Sequence, residues 1–121
     1  EAVNKFFEEN ADAPVLVRKL DVGAKALQAG VAAARKLGRA AFLFAQEPGT
    51  GAVKTMYGNF VPEEAQKKGL DAVEWNKQVS EKLQGRGGGK PDGAQGVGEA
   101  TSEAVDEAVR LAEEFFRLKV N

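Results

Sequence analysis

The residues of this 121-residue chain best suited to chemistry lie between Gly85 and Gly98, a stretch holding seven of its fourteen glycines. Three consecutive glycines, Gly87, Gly88 and Gly89, stand between two cations, Arg86 and Lys90. Such a run exposes backbone N–H groups and tolerates positive φ, so it can cup an anion while the flanking cations supply charge. Asp92 and Gln95 are the side chains able to fix it by bonding its backbone. The same composition also serves a structural loop in which glycines let two elements pack closely. The standard phosphate motifs are absent. A P-loop ending at Gly89-Lys90 requires glycine where Gln84 stands, and Ser or Thr where Pro91 stands. A dinucleotide fingerprint beginning at Gly85 requires its third glycine where Lys90 stands.

The chain contains no His and no Cys. That removes the imidazole general base, the serine triad, the thiolate nucleophile and the usual zinc ligands, so a hydrolase is disfavoured. No apolar run approaches the roughly 20 residues of a membrane span. The start, Glu1-Ala2-Val3-Asn4, lacks the features of a signal peptide, and its missing Met points to excision from a longer chain. Formal charge is −1, but it is unevenly spread: residues 1–14 carry −3, residues 15–90 carry +6 and residues 91–121 carry −4. In residues 15–40, Arg18, Lys19, Lys25, Arg35, Lys36 and Arg39 face only Asp21. This block either raises a local positive potential or decorates a solvated helix face.

Elements able to position these groups follow from periodicity. Residues 1–11 read as the tail of a helix stopped by Pro14, and Val15–Leu20 as a strand. Regular alternation sends Arg18 and Lys19 to opposite faces of that strand. A helix from about Val22 to Leu37 carries a Leu20, Ala24, Leu27, Val31, Ala34 stripe and closes at Gly38. Ala40–Ala45 is short and wholly apolar, as a central strand buried on both faces would be. Turn residues Glu47–Gly51 join it to an alternating strand, Ala52–Tyr57. Helices are expected from Pro62 to about Gly69 and from an Asp71 cap to Leu83, the latter with Trp75 and Val79 inward. Gly85–Gly98 reads as a long loop or as containing only a short strand, and Thr101 or Ser102 caps a last helix. The fold class is α/β (α+β): two layers, with a mixed sheet of about four strands. Phe42, Phe44, Trp75, Phe115 and Phe116 read as core. Tyr57 and Phe60, placed at a strand end, are rings able to stack on a base.

The segment Gly85-Arg86-Gly87-Gly88-Gly89-Lys90-Pro91-Asp92-Gly93-Ala94-Gln95 resembles the glycine-rich signature near the C-terminus of alanyl-tRNA synthetases. The preceding Gly69–Ser80, around Trp75, resembles the segment leading into that signature in eukaryotic cytoplasmic members. Lys25-Ala26-Leu27 and the terminal Phe115–Asn121 extend the resemblance to residues 14–121. It implies residues 1–12 as the end of a preceding helical segment and residues 13–121 as a globular DHHA1-type domain, called C-Ala in that family. Three positions depart from family patterns. Arg86 stands where Lys is common, which keeps the charge. Lys90 stands where the phosphoesterase branch of the superfamily often has His, and Gly93 replaces a larger apolar residue of bacterial members.

The resemblance implies a non-catalytic domain that holds the elbow of tRNA(Ala), so that aminoacylation and editing act on one tRNA. It implies no catalytic residue, metal ligand or cofactor in this domain, since ATP and zinc would belong to other parts of the synthetase. It also implies a cytoplasmic location, no membrane contact and a homodimer formed through the preceding helical segment. The RNA contacts expected are Arg86 and Lys90 as phosphate or sugar donors, with Gly87, Gly88 and Gly89 shaping their approach. Lys25 and Lys36, with Arg35 and Arg39, either extend that surface or are solvated charges, and Asp92 is a brace. The alternative is a protein-interaction or dimerisation module with little tRNA binding of its own.

Overall fold

A computed structural model describes residues 2–10, 12–13, 15–20, 24–47 and 51–120. The elements run α1 (Ala2–Glu9), β1 (Val15–Leu20), α2 (Ala24–Leu37), β2 (Ala40–Gln46), β3 (Val53–Phe60), α3 (Glu63–Lys67), α4 (Ala72–Leu83), β4 (Arg86–Lys90), β5 (Gly93–Ala100) and α5 (Ser102–Val120). The strands form one mixed sheet in the order β1-β2-β3-β5-β4. β1 and β2 are parallel, as a βαβ crossover requires, and every other pairing is antiparallel.

The mixed α+β sheet matches the expectation, but it has five strands rather than about four. The difference lies in Gly85–Gly98, which holds two paired strands turning at Pro91-Asp92 where a loop or one short strand is expected. Glycine is depleted in strands, so composition pointed away from pairing. The packing explains the exception. A Cβ on Gly87 would lie 2.5 Å from Gly96 Cα, and one on Gly89 would lie 2.5 Å from Ala94 Cα. Only glycine lets β4 come so close to β5.

Helices cover the two sheet faces unequally. On one face, Phe42, Phe44 and Tyr57 meet Trp75, Val79 and Leu83 of α4 and Val105, Ala108, Ala112 and Phe116 of α5. On the other, Ala41, Leu43, Ala45 and Phe60 meet Leu27, Ala33 and Ala34 of α2 and Phe7 of α1. The two-layer arrangement therefore describes the β5–β4 end, where α4 backs the sheet. Over β2 a third layer, α2, makes the apolar run Ala40–Ala45 buried on both faces, as its composition required. Arg18 and Lys19 do diverge: Arg18 sits over the Phe6 ring, while Lys19 donates to Ser102 Oγ.

Local signals set the element ends. α2 ends in a Schellman motif: Gly38 has φ +68°, its N–H bonds Arg35 O, and the Arg39 N–H bonds Ala34 O. Thr101 Oγ1 accepts from the Ala104 N–H at the start of α5. Asp71 caps α4 by accepting from the N–H groups of Val73 and Glu74. Asp71→Ala should cost about 1 kcal/mol, lowering a thermal midpoint by a few degrees without changing the far-ultraviolet circular dichroism of the folded chain. Pro14, residues 21–23, the Pro48-Gly49-Thr50 part of the expected turn, and the side chains of Leu20, Ala24 and Lys25 lie outside the described residues.

Candidate nucleic-acid interface

Cross-strand pairing assigns each residue of the glycine hairpin to a face. Gly87 pairs with Gly96 and Gly89 with Ala94. Ala94 is buried against α4, and a Cβ on Gly96 would meet the Tyr57 ring, so these four positions face the α4 side. Arg86, Gly88 and Lys90 pair with Val97, Gln95 and Gly93 and point the other way. In β3 the same face carries Met56, Gly58 and Phe60. This second face lies open beyond α2. Arg86 and Lys90 project from it about 13 Å apart along the strand. Both are exposed, and no carboxylate among the described residues pairs with either.

Several bonds behind the hairpin hold it in place. The carbonyls of Pro91 and Asp92 accept from the N–H groups of Ala72 and Val61. Asn59, buried in β3, donates to Ala72 O and accepts from the Ala94 N–H, tying β3, β5 and α4 together. Asn76 Nδ2 donates to Gln95 O. Arg35 Nη1 bonds Asp92 Oδ2 at 2.8 Å while its guanidinium sits 4.8 Å from the centre of the Phe60 ring. The hydrogen bond from Arg35 is the main reason the Asp92 carboxyl titrates below its ordinary value. Asp92 is thus the brace expected, and its main side-chain partner is Arg35 of α2.

The sequence candidates separate accordingly. Arg86, Gly88, Lys90 and Lys36 border the open face, whereas Arg35 is engaged by Asp92 and Phe60. Arg39 sits over the Phe7 ring and donates to Ala13 O, so it anchors α1 instead of extending the basic surface. The Lys25 side chain lies outside the described residues. The glycine run forms no cup: it is extended, and among the described residues positive-φ glycines occur only at Gly38, Gly51 and Gly69. Nor do Tyr57 and Phe60 offer free rings. Tyr57 is fully buried, its hydroxyl 2.6 Å from Ser80 Oγ, and burial raises its pKa; Phe60 is covered by α2 and Arg35.

Sequence reasoning missed the groove between α2 and the sheet. One part, about 420 Å³, is lined by Leu27, Gln28, Val31, Lys36, Gly58 and Gln95 among others. An adjoining part, about 340 Å³, runs over Met56, Gly88 and Val97 to Arg86. The described residues lining the two parts include bases but no acid. The available signal was a period of two in small residues, Ala94, Gly96, Gly98 and Ala100, which marks a strand and leaves Gln95 and Val97 on the outer face. Gly87→Ala should displace the hairpin, because its Cβ would strike backbone, and should lower stability by about 2 kcal/mol or more. Amide exchange across β4 and β5 would register the change.

The fold and this face define the class. The chain belongs to the DHHA1 domain family, which matches residues 12–118. Within it, the similarity is to alanyl-tRNA synthetases. The chain is 39% identical over 124 aligned residues to the cytoplasmic alanine–tRNA ligase of Drosophila melanogaster, covering all of this chain and 13% of that protein. It is 35% identical to alanine–tRNA ligase of Schizosaccharomyces pombe, covering 98% of this chain and 12% of that one. It therefore spans about an eighth of the length of these curated relatives. Its fold is that of the C-Ala domain of Aquifex aeolicus alanyl-tRNA synthetase, with a TM-score of 0.66 at 23% identity, covering 88% of this chain and 91% of that one.

Proposed function

We propose that this chain is a tRNA-binding C-Ala domain that holds the elbow of tRNA(Ala) for an alanyl-tRNA synthetase. The observation that carries this reading is that Arg86 and Lys36 border an acid-free groove on one open face, with Lys90 projecting from the same face of β4. Unpaired cations on a flat face suit phosphate and ribose contacts, which position an RNA by its shape. Aminoacylation and editing, with the ATP and zinc they use, then belong to other parts of the synthetase. The chain contributes binding surface, raising the effective concentration of tRNA near those sites. No helix among the described residues is long and apolar enough to cross a membrane.

The test is binding of the chain to folded tRNA at two salt concentrations, with an RNA duplex of equal length and an elbow-disrupted tRNA as competitors. Preferential binding that weakens steeply with salt is expected. Equal binding to all three RNAs would remove the elbow from the reading. Self-association insensitive to salt, without RNA binding, would favour the interaction module.

A further inference from the structure

β4 is the last strand of the sheet, and among the described residues no strand pairs with its outer edge. All five of its residues, Arg86–Lys90, are exposed. Such an edge leaves alternate N–H and C=O groups unpaired and is a template for a further strand. α4 runs beside it over its whole length. The Ala72 N–H, at the start of α4, bonds Pro91 O just past the end of β4, and α4 ends at Leu83, two residues before β4 begins at Arg86. Twelve helical residues and five extended ones each span about 17–18 Å. One stripe of α4, formed by Val73, Asn76, Lys77, Ser80, Glu81 and Gln84, is the wall of a groove of about 500 Å³ that Gly85, Arg86 and Gly87 close on the other side.

Chemistry defines what this groove takes. Asn76 is 2% exposed and its Nδ2 donates to Gln95 O, yet its Oδ1 has no hydrogen-bond partner. A buried acceptor left unpaired is costly, and an N–H or O–H entering the groove would satisfy it. Val73 is an exposed apolar side chain on the same wall. Lys77 and Glu81 offset one another there, so Arg86 and Lys90 set the sign of the charge along β4. A second copy of β4, paired antiparallel about Gly88, would set each Arg86 opposite a Lys90, and like charges directly opposite resist that pairing. The same cations attract a strand with acids four residues apart. We propose that the free edge of β4 and the adjoining wall of α4 form a strand-addition groove for an extended acidic peptide of another protein. The peptide main chain bonds the edge of β4, its acids stand opposite Arg86 and Lys90, and its alternate side chains turn toward Val73 and Asn76. This site lies at the sheet edge beside α4, apart from the groove under α2, and does not rest on RNA binding.

Two measurements test it. In the first, the chain is titrated with the capped pentapeptide Glu-Val-Thr-Val-Glu while its amides are followed. Shifts of the β4 amides and of the Asn76 side-chain amide are expected. N-methylating one alternate set of peptide amides should weaken binding about tenfold or more, and methylating the other set should change it little, because only one set faces β4. Replacing both glutamates by lysine should also cost about tenfold. In the second, Val73→Glu places an acid on the wall at an exposed position. It should weaken the peptide about tenfold while the melting temperature and tRNA affinity stay as in the wild-type chain. No binding at millimolar peptide, equal loss from the two methylated sets, or shifts centred on the groove under α2 overturns the proposal. Self-association of the chain through β4 without peptide binding also overturns it, by making a second copy the occupant. None of these outcomes bears on the RNA-binding reading, since no RNA is present in the titration.

Discussion

Replacing Arg86 and Lys90 together by alanine is expected to weaken tRNA binding by roughly ten- to a hundredfold at about 0.1 M salt. It should also reduce the slope of log affinity against log salt by about 2, the signature of two lost phosphate contacts. The reasoning is local. Both side chains are exposed, sit on one face of β4 through an i, i+4 spacing on a strand, and pair with no described carboxylate. Removing them breaks no internal bond described here, so stability should change by no more than about 0.5 kcal/mol. A chain carrying Arg86→Lys and Lys90→Arg keeps both charges and should retain most of the affinity. If the alanine pair binds tRNA as the wild-type chain does, with the same salt slope, the RNA lies elsewhere on the molecule.

Trp75→Ala is expected to have the largest effect on stability, about 3–5 kcal/mol. Trp75 is fully buried on α4, stands edge-on to Phe42 at 4.9 Å and packs against Phe116. Its indole N–H donates to Ala112 O at 2.9 Å, so truncation would leave a large cavity and remove a bond between α4 and α5. For a domain of this size the melting midpoint should fall by roughly 10–20 °C. The site should suffer with it, since α4 is the support behind β4 and β5. Trp75→Phe, which keeps a ring but not the N–H, should lose less. Denaturant unfolding of the two variants, compared for midpoint and slope, measures this directly. A loss below about 1 kcal/mol for alanine would contradict the role given to this side chain.

The sequence revealed the fold wherever an element was held by side-chain periodicity. The Leu27, Val31, Ala34 stripe, the Ala72, Trp75, Val79, Leu83 stripe and the caps at Gly38 and Asp71 all carry local patterns. The glycine hairpin carried none that outweighed composition, because its pairing depends on what is missing from Gly87 and Gly89. The candidate site was legible as residues but not as geometry. Arg86 and Lys90 were identifiable from the flanking charge and the family signature, yet nothing local showed that both would share a face with α2. Arg35 and Arg39 looked equivalent to Lys36 in the sequence. Asp92, 57 residues from Arg35, and Phe7 on α1 take those two guanidiniums out of the basic surface through contacts that no window of sequence contains. Tyr57 was misplaced for a related reason: β3 continues to Phe60, which moves Tyr57 from a strand end into the core.

The central claim is that RNA lies on the open face shared by β4, β5 and α2. It is tested most directly by following the backbone amides of the whole chain while folded tRNA is added. The expected result is a set of perturbed amides confined to Arg86–Lys90, Gln95–Val97, Gly58 and the Gln28–Lys36 side of α2. Perturbation centred on the outer surfaces of α4 and α5 instead, around Lys77 and Arg110, would contradict it.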